Sequence, residues 1–133
     1  MKKCALFLLI VTISFLLPSV VSAQSKQSAP STASIQMIQF HSQHRCLSCR
    51  TIEKFTREVV ANYPSILFKL INVDQKKNEA LANEFEASGT ALFLFNPKTG
   101  KKKSLTDFGF MNVGNEEKFK ELLKQHIDEF IKG

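Results

Sequence analysis

The apolar positions change period several times along the chain, and each change marks a new element. Met1 to Ala23 opens with Lys2 and Lys3, continues as an apolar run from Ala5 to Leu17, and ends on the small residues Val21-Ser22-Ala23. That three-part pattern predicts a secretory signal over residues 1–23, cleaved after Ala23. The run is shorter than the roughly 20 residues a bilayer-spanning helix needs, and Pro18 follows it, so no stable membrane anchor is expected. A lipid anchor would need a cysteine just after the run, whereas Cys4 precedes it and leaves with the signal. Residues 24–34 are small and polar without apolar periodicity and read as a flexible leader.

From residue 35 the pattern becomes that of a folded domain. Ile35 to Phe40 is a short β-rich run, and from Cys49 onward Ile52, Phe55, Thr56, Val59, Val60 and Tyr63 recur at steps of three and four, the helical period. A strand, a short turn and a helix that opens at the two cysteines follow from this. Ile66 to Val73 is a second strand, and Leu81, Ala82 and Phe85 mark one face of a second helix that Gly89 is expected to end. Ala91 to Phe95, the turn Asn96-Pro97-Lys98-Thr99-Gly100 and Ser104 to Phe110 read as a hairpin. A last helix runs from about Asn115 to Ile131, with Phe119, Leu122, Leu123, Ile127 and Phe130 on one side. The order over residues 35–133 is βαβαββα. A strand–helix–strand unit demands a right-handed crossover and a parallel pair, and the hairpin adds antiparallel strands. The fold class is therefore α/β, a mixed sheet with helices on both faces.

Composition narrows the function classes. About 110 residues remain after the signal, enough for one domain with one core. The formal net charge of +6 falls to +4 when Lys2 and Lys3 leave, which speaks to solubility and gives no nucleic-acid signature. The one basic run, Lys101 to Lys103, lacks interleaved aromatics and reads as a solvated hairpin tip. No nucleotide, flavin or haem motif is present, so no cofactor is expected.

The mature chain keeps two cysteines, Cys46 and Cys49. So short a loop is a poor structural staple, because loop-closure stabilisation grows with the chain enclosed. A reactive pair is the stronger reading for an oxidising compartment. The thiolate is the attacking species, so a working cysteine needs a site that favours negative charge. Cys46 has one at the start of a helix, where free backbone N–H groups and the macrodipole favour an anion, with Arg45 as its neighbour and Arg50 near. Cys49 falls on the core-facing stripe. The pattern makes Cys46 an exposed nucleophile assisted by Arg45, and Cys49 a buried resolving thiol.

The segments F-H-S-Q-H-R-C-L-S-C, F-K-L-I-N-V-D, and L-F-L-F with its lysine-rich hairpin resemble the thioredoxin family across nearly all of Ser34 to Gly133. Within it the chain is similar to short bacterial thioredoxin-like proteins carrying F-H-x-x-x-R-C-x-x-C. The resemblance implies a thioredoxin-like βαβαββα fold, Cys46 as nucleophile, Cys49 as resolving thiol, and Gly89, Thr90 and Ala91 as a substrate-facing loop. It implies a thiol–disulfide oxidoreductase, and the signal pattern of residues 1–23 places it as periplasmic or secreted, acting on protein thiols or disulfides in the export compartment. This sequence departs from the family at four places. Leu47-Ser48 stands where Gly-Pro is usual, Arg45 where tryptophan is usual, and Thr90 where a cis-proline is expected. The buried acid of the first strand falls near Phe40, which leaves His41 or His44 as substitutes.

Two other readings compete. His41, His44, Cys46 and Cys49 form H-x-x-H-x-C-x-x-C, the ligand types of a zinc or soft-metal site, although structural zinc sites usually draw their ligands from two separate segments. A non-catalytic interaction module on the same fold is the other, since fold does not determine function. His126 and Tyr63 read as packing residues.

Overall fold

The computed structural model describes residues 35–133; the expected signal and leader, residues 1–34 with Cys4, lie outside the described residues. Strand β1 is Ile35–His41, helix α1 Leu47–Val60, strand β2 Ile66–Asn72, helix α2 Glu79–Glu84, strand β3 Ala91–Asn96, strand β4 Lys101–Ser104, helix α3 Thr106–Asn112 and helix α4 Glu116–Lys132. The sheet runs β2-β1-β3-β4. Strand β1 pairs parallel with β2, antiparallel with β3, and β3 pairs antiparallel with β4. The α/β class and the mixed sheet are thus as the sequence implies.

Strand β1 is central and buries both faces, with side chains alternating between them. Ile35 and Met37 join Leu92 and Leu94 of β3 against α1 and α4, whose Ile52, Phe55, Val59, Phe119, Leu123, Ile127 and Phe130 complete the larger core. Ile38 and Phe40 point the other way, to α2, where they meet Ala82, Phe85 and Ala91. Phe40, Phe85 and Phe93 pack at ring separations of 5.1–6.0 Å. The buried face of α1 is Cys49, Ile52, Phe55, Thr56, Val59 and Val60, the stripe that the helical period picks out. Helix α4 starts at Asn115, whose side chain accepts the Lys118 N–H at 3.0 Å, satisfying one orphan donor of the first turn.

Three local expectations are corrected. Ser104 to Phe110 is not one strand: β4 is the lysine run itself, and residues from Thr106 form α3. Leu105, Phe108 and Gly109 recur at three- to four-residue steps and turn inward, Gly109 so closely that a Cβ there would lie 3.4 Å from the Ile52 side chain. Lys101 and Lys102 are exposed, as expected, but the lysines lie on a strand and not at the hairpin tip. They form an edge strand held by backbone pairing to β3, with Lys101 over the Phe130 ring and Lys103 bonded to Glu129 and His126. Lysine on an edge strand also discourages pairing with another chain. Nor does Gly89 end α2. The helix stops at Glu84, and Glu86 takes a left-handed φ of 52°. The Ala87 N–H then reaches the Ala82 carbonyl at 2.8 Å and the Glu86 N–H that of Asn83 at 3.1 Å, the paired bonds of a Schellman cap.

Candidate functional site

The loop after β1 brings the chain into α1 with Cys46 as its N-cap, in extended backbone conformation (φ −71°, ψ 167°). Cys46 Sγ accepts the Cys49 N–H at 3.2 Å, so the sulfur occupies the place that a serine or aspartate oxygen fills in an ordinary cap. Cys46 and Cys49 are joined as a disulfide, their Cα atoms 5.3 Å apart. Cys46 is exposed, whereas Cys49 is 5% exposed, one turn on and on the inner stripe. Leu47, between them, is 75% exposed. One sulfur therefore faces solvent at a helix N-terminus and its partner faces the core.

Two groups hold the buried member. Thr90, in the loop before β3, places Oγ1 2.9 Å from Cys49 Sγ. A disulfide sulfur carries no hydrogen, so the hydroxyl donates. No cis peptide occurs among the described residues, and Thr90 follows a trans bond where the family pattern has a cis-proline. Gly89, Thr90 and Ala91 line an open groove of about 470 Å³ together with Phe85, Phe93 and Thr106. The second group is Gln39 of β1, fully buried, whose Nε2 donates to the Cys49 carbonyl at 2.9 Å. Its Oε1 is buried without a partner.

The family spacing points to Phe40 for the buried polar position of the first strand, whereas the structure places a buried polar side chain at the neighbouring Gln39. The sequence carries the signal for it. Gln36 and Gln39 are three apart, so in a strand they point to opposite faces, and a central strand must bury at least one. Phe40 instead belongs to the α2 side of the sheet.

Arg45 is partly buried and pairs with Glu53, which also takes Arg57 Nε at 2.7 Å. Burial would push the Glu53 carboxyl up, but the hydrogen bonds and charges of Arg45 and Arg57 outweigh it and hold the group below the usual range. The cluster carries two cations and one anion, leaving one net positive charge beside the first turns of α1. Arg50 is exposed.

The alternative metal set does not assemble. Among the described residues no three His, Cys, Asp or Glu side chains are placed to hold an ion. The two sulfurs are bonded to each other, the His41 Nδ1–H donates to the Ser42 carbonyl at 2.8 Å, and His44 is exposed on the loop. His126 packs edge-on against Phe108 at 4.9 Å, and Tyr63 lies against the larger core with its hydroxyl donating to Asp128.

No family model and no curated protein matches the chain. Among solved structures it is similar to a thioredoxin of Fasciola hepatica, at 21% identity over 71% of this chain and 82% of that one, TM-score 0.47. A thioredoxin of Entamoeba histolytica is similar at 23% identity over 74% and 84%, TM-score 0.47. Thioredoxin O2 of Arabidopsis thaliana in its oxidised state is similar at 21% identity, TM-score 0.44; the match covers 53% of this chain and only 60% of that one. The fold rests on the chain's own arrangement. A parallel β1-α1-β2 unit, an antiparallel β3-β4 hairpin on the other side of β1, α1 and α4 on one face and α2 on the other surround a Cys-x-x-Cys disulfide at the first helix. Residues 35–133 form a thioredoxin-like fold.

Proposed function

We propose that the chain is an exported thiol–disulfide oxidoreductase that exchanges disulfides with partner proteins through Cys46 and Cys49. The observation that carries the reading is the asymmetry of the pair, an exposed sulfur capping a helix N-terminus bonded to a buried one on the core stripe. Reduced Cys46 has the setting a nucleophile needs: the Cys49 N–H aimed at its sulfur, the positive end of a 14-residue helix, and one net cation nearby. Cys46 attacks the partner disulfide, and Cys49 then attacks Cys46 Sγ from within and releases the partner. Arg45 acts through charge in this scheme. Gly89, Thr90 and Ala91 form the wall along which the partner chain lies.

Export and the choice of protein partners rest on the sequence pattern of residues 1–23 and on the compartment it implies. The purified chain without residues 1–23, equilibrated in glutathione buffers of graded ratio and assayed for free thiols, should pass from two thiols to none in one reversible two-electron step. A pair that no physiological ratio reduces would mark a structural disulfide and end the proposal.

A further inference from the structure

Resting on the exchange reading, we propose that Thr90 is a catalytic residue of the resolving step, its hydroxyl supplying the hydrogen bond that the Cys49 sulfur needs in order to react. Cys49 Sγ is buried, and burial among apolar groups disfavours a thiolate. Two nearby donors are committed elsewhere. The Cys49 N–H goes to Cys46 Sγ, and the Gln39 amide goes to the Cys49 carbonyl. Thr90 Oγ1, at 2.9 Å, supplies the one hydrogen bond made to Cys49 Sγ among the described residues.

A hydroxyl suits every state of that sulfur, because it is both a donor and an acceptor and its hydrogen rotates. It donates to the disulfide, accepts from the thiol, and donates to the thiolate, where the bond becomes charge-assisted and strongest. The imino nitrogen and ring of a proline at this position would provide none of these.

In the resolving step the Cys46–S–S–R mixed disulfide is attacked at Cys46 Sγ by Cys49. The Cys46–Cys49 bond forms, the Cys46–R bond breaks, and R–S⁻ leaves with the electron pair and takes up the proton that Cys49 has shed. Over both steps the partner disulfide gains two electrons and two protons, and the cysteine pair loses them. Thr90 does not accept the Cys49 proton in this scheme. It stabilises the charge on sulfur while the new bond forms.

The test uses the reduced protein and the aromatic disulfide dithiobis-nitrobenzoate, which releases one coloured thiolate when Cys46 attacks and a second when Cys49 resolves. Thr90→Val keeps the shape and removes the hydroxyl, and Thr90→Ser restores it. In Thr90→Val a circular dichroism spectrum matching the wild type shows that the variant is folded, and the readout is the rate of the second release relative to the first. The second should slow by about 10- to 100-fold, the range of a lost hydrogen bond to a charged group. Thr90→Ser should recover most of that loss. A second release at wild-type rate in Thr90→Val, or one equally slow in Thr90→Ser, overturns the role of the hydroxyl. Absence of any release from the reduced wild type overturns the exchange reading itself.

Discussion

Replacing Gln39 by methionine should make the domain more stable, although it deletes a buried hydrogen bond. The side chain stays unbranched and of similar length, so the packing space between β1 and α1 is nearly conserved. The Nε2 bond to the Cys49 carbonyl is lost, a net cost of about 0.5–1.5 kcal/mol. That carbonyl lies inside α1 and keeps its helical partner, so no new orphan is made. Against this, Oε1 is buried with nothing to bond. Removing it recovers a desolvation penalty of about 1–3 kcal/mol. The balance favours methionine by about 1 kcal/mol. For a domain of about 100 residues that raises Tm by roughly 4–8 °C. Thermal unfolding of the oxidised protein, followed by circular dichroism, is the assay. A loss of 1 kcal/mol or more would show the carboxamide to be fully bonded and the reasoning wrong. A polar group kept in the core at a cost in stability is what a working site, rather than a packing site, displays.

Changing Arg45→Ala takes the Arg45, Glu53 and Arg57 cluster from one net positive charge to none, and Glu53→Gln takes it to two. The first should lower and the second raise the thiolate fraction of reduced Cys46 at neutral pH, each by two- to several-fold for charges at this exposure; thiolate absorbance against pH measures both. Glu53 is held below its unfolded range, so its contribution to stability is present above the unfolded pKa and lost as pH falls through the folded one. Tm should therefore drop in the acid range, and less steeply in Glu53→Gln, when unfolding is compared across pH. Asn115→Ala should cost about 1 kcal/mol by removing the cap of α4, measured by urea unfolding.

Much of this architecture was legible because periodicity and burial agree. The stripe from Cys49 to Val60 and the buried Phe119, Leu123, Ile127 and Phe130 follow from the helical period alone, since a helix shows the core only one face. The region after β3 was harder. Phe108-Gly109-Phe110 alternates like a strand, but Leu105 and Phe108 face inward while Phe110 and Met111 are 42% and 83% exposed, so the period in use is the helical one. Conversely, Lys101–Ser104 has no apolar face to announce a strand, because an edge strand is held by its backbone. Gln39 is hard to read for a related reason. A shift of one residue exchanges the two faces of a strand, and family spacing placed the buried polar position one residue late, on Phe40. The contact between Thr90 and Cys49 spans 41 residues of sequence, and no local pattern encodes it.

The most direct test of exchange led by Cys46 is covalent trapping. Cys49→Ser removes the resolving group and leaves the nucleophile, so partner proteins from the export compartment should remain attached to it and be released by a reductant. Cys46→Ser should hold almost nothing. Trapping by Cys46→Ser in place of Cys49→Ser would contradict the assignment of the two sulfurs, and trapping by neither would contradict thiol exchange itself.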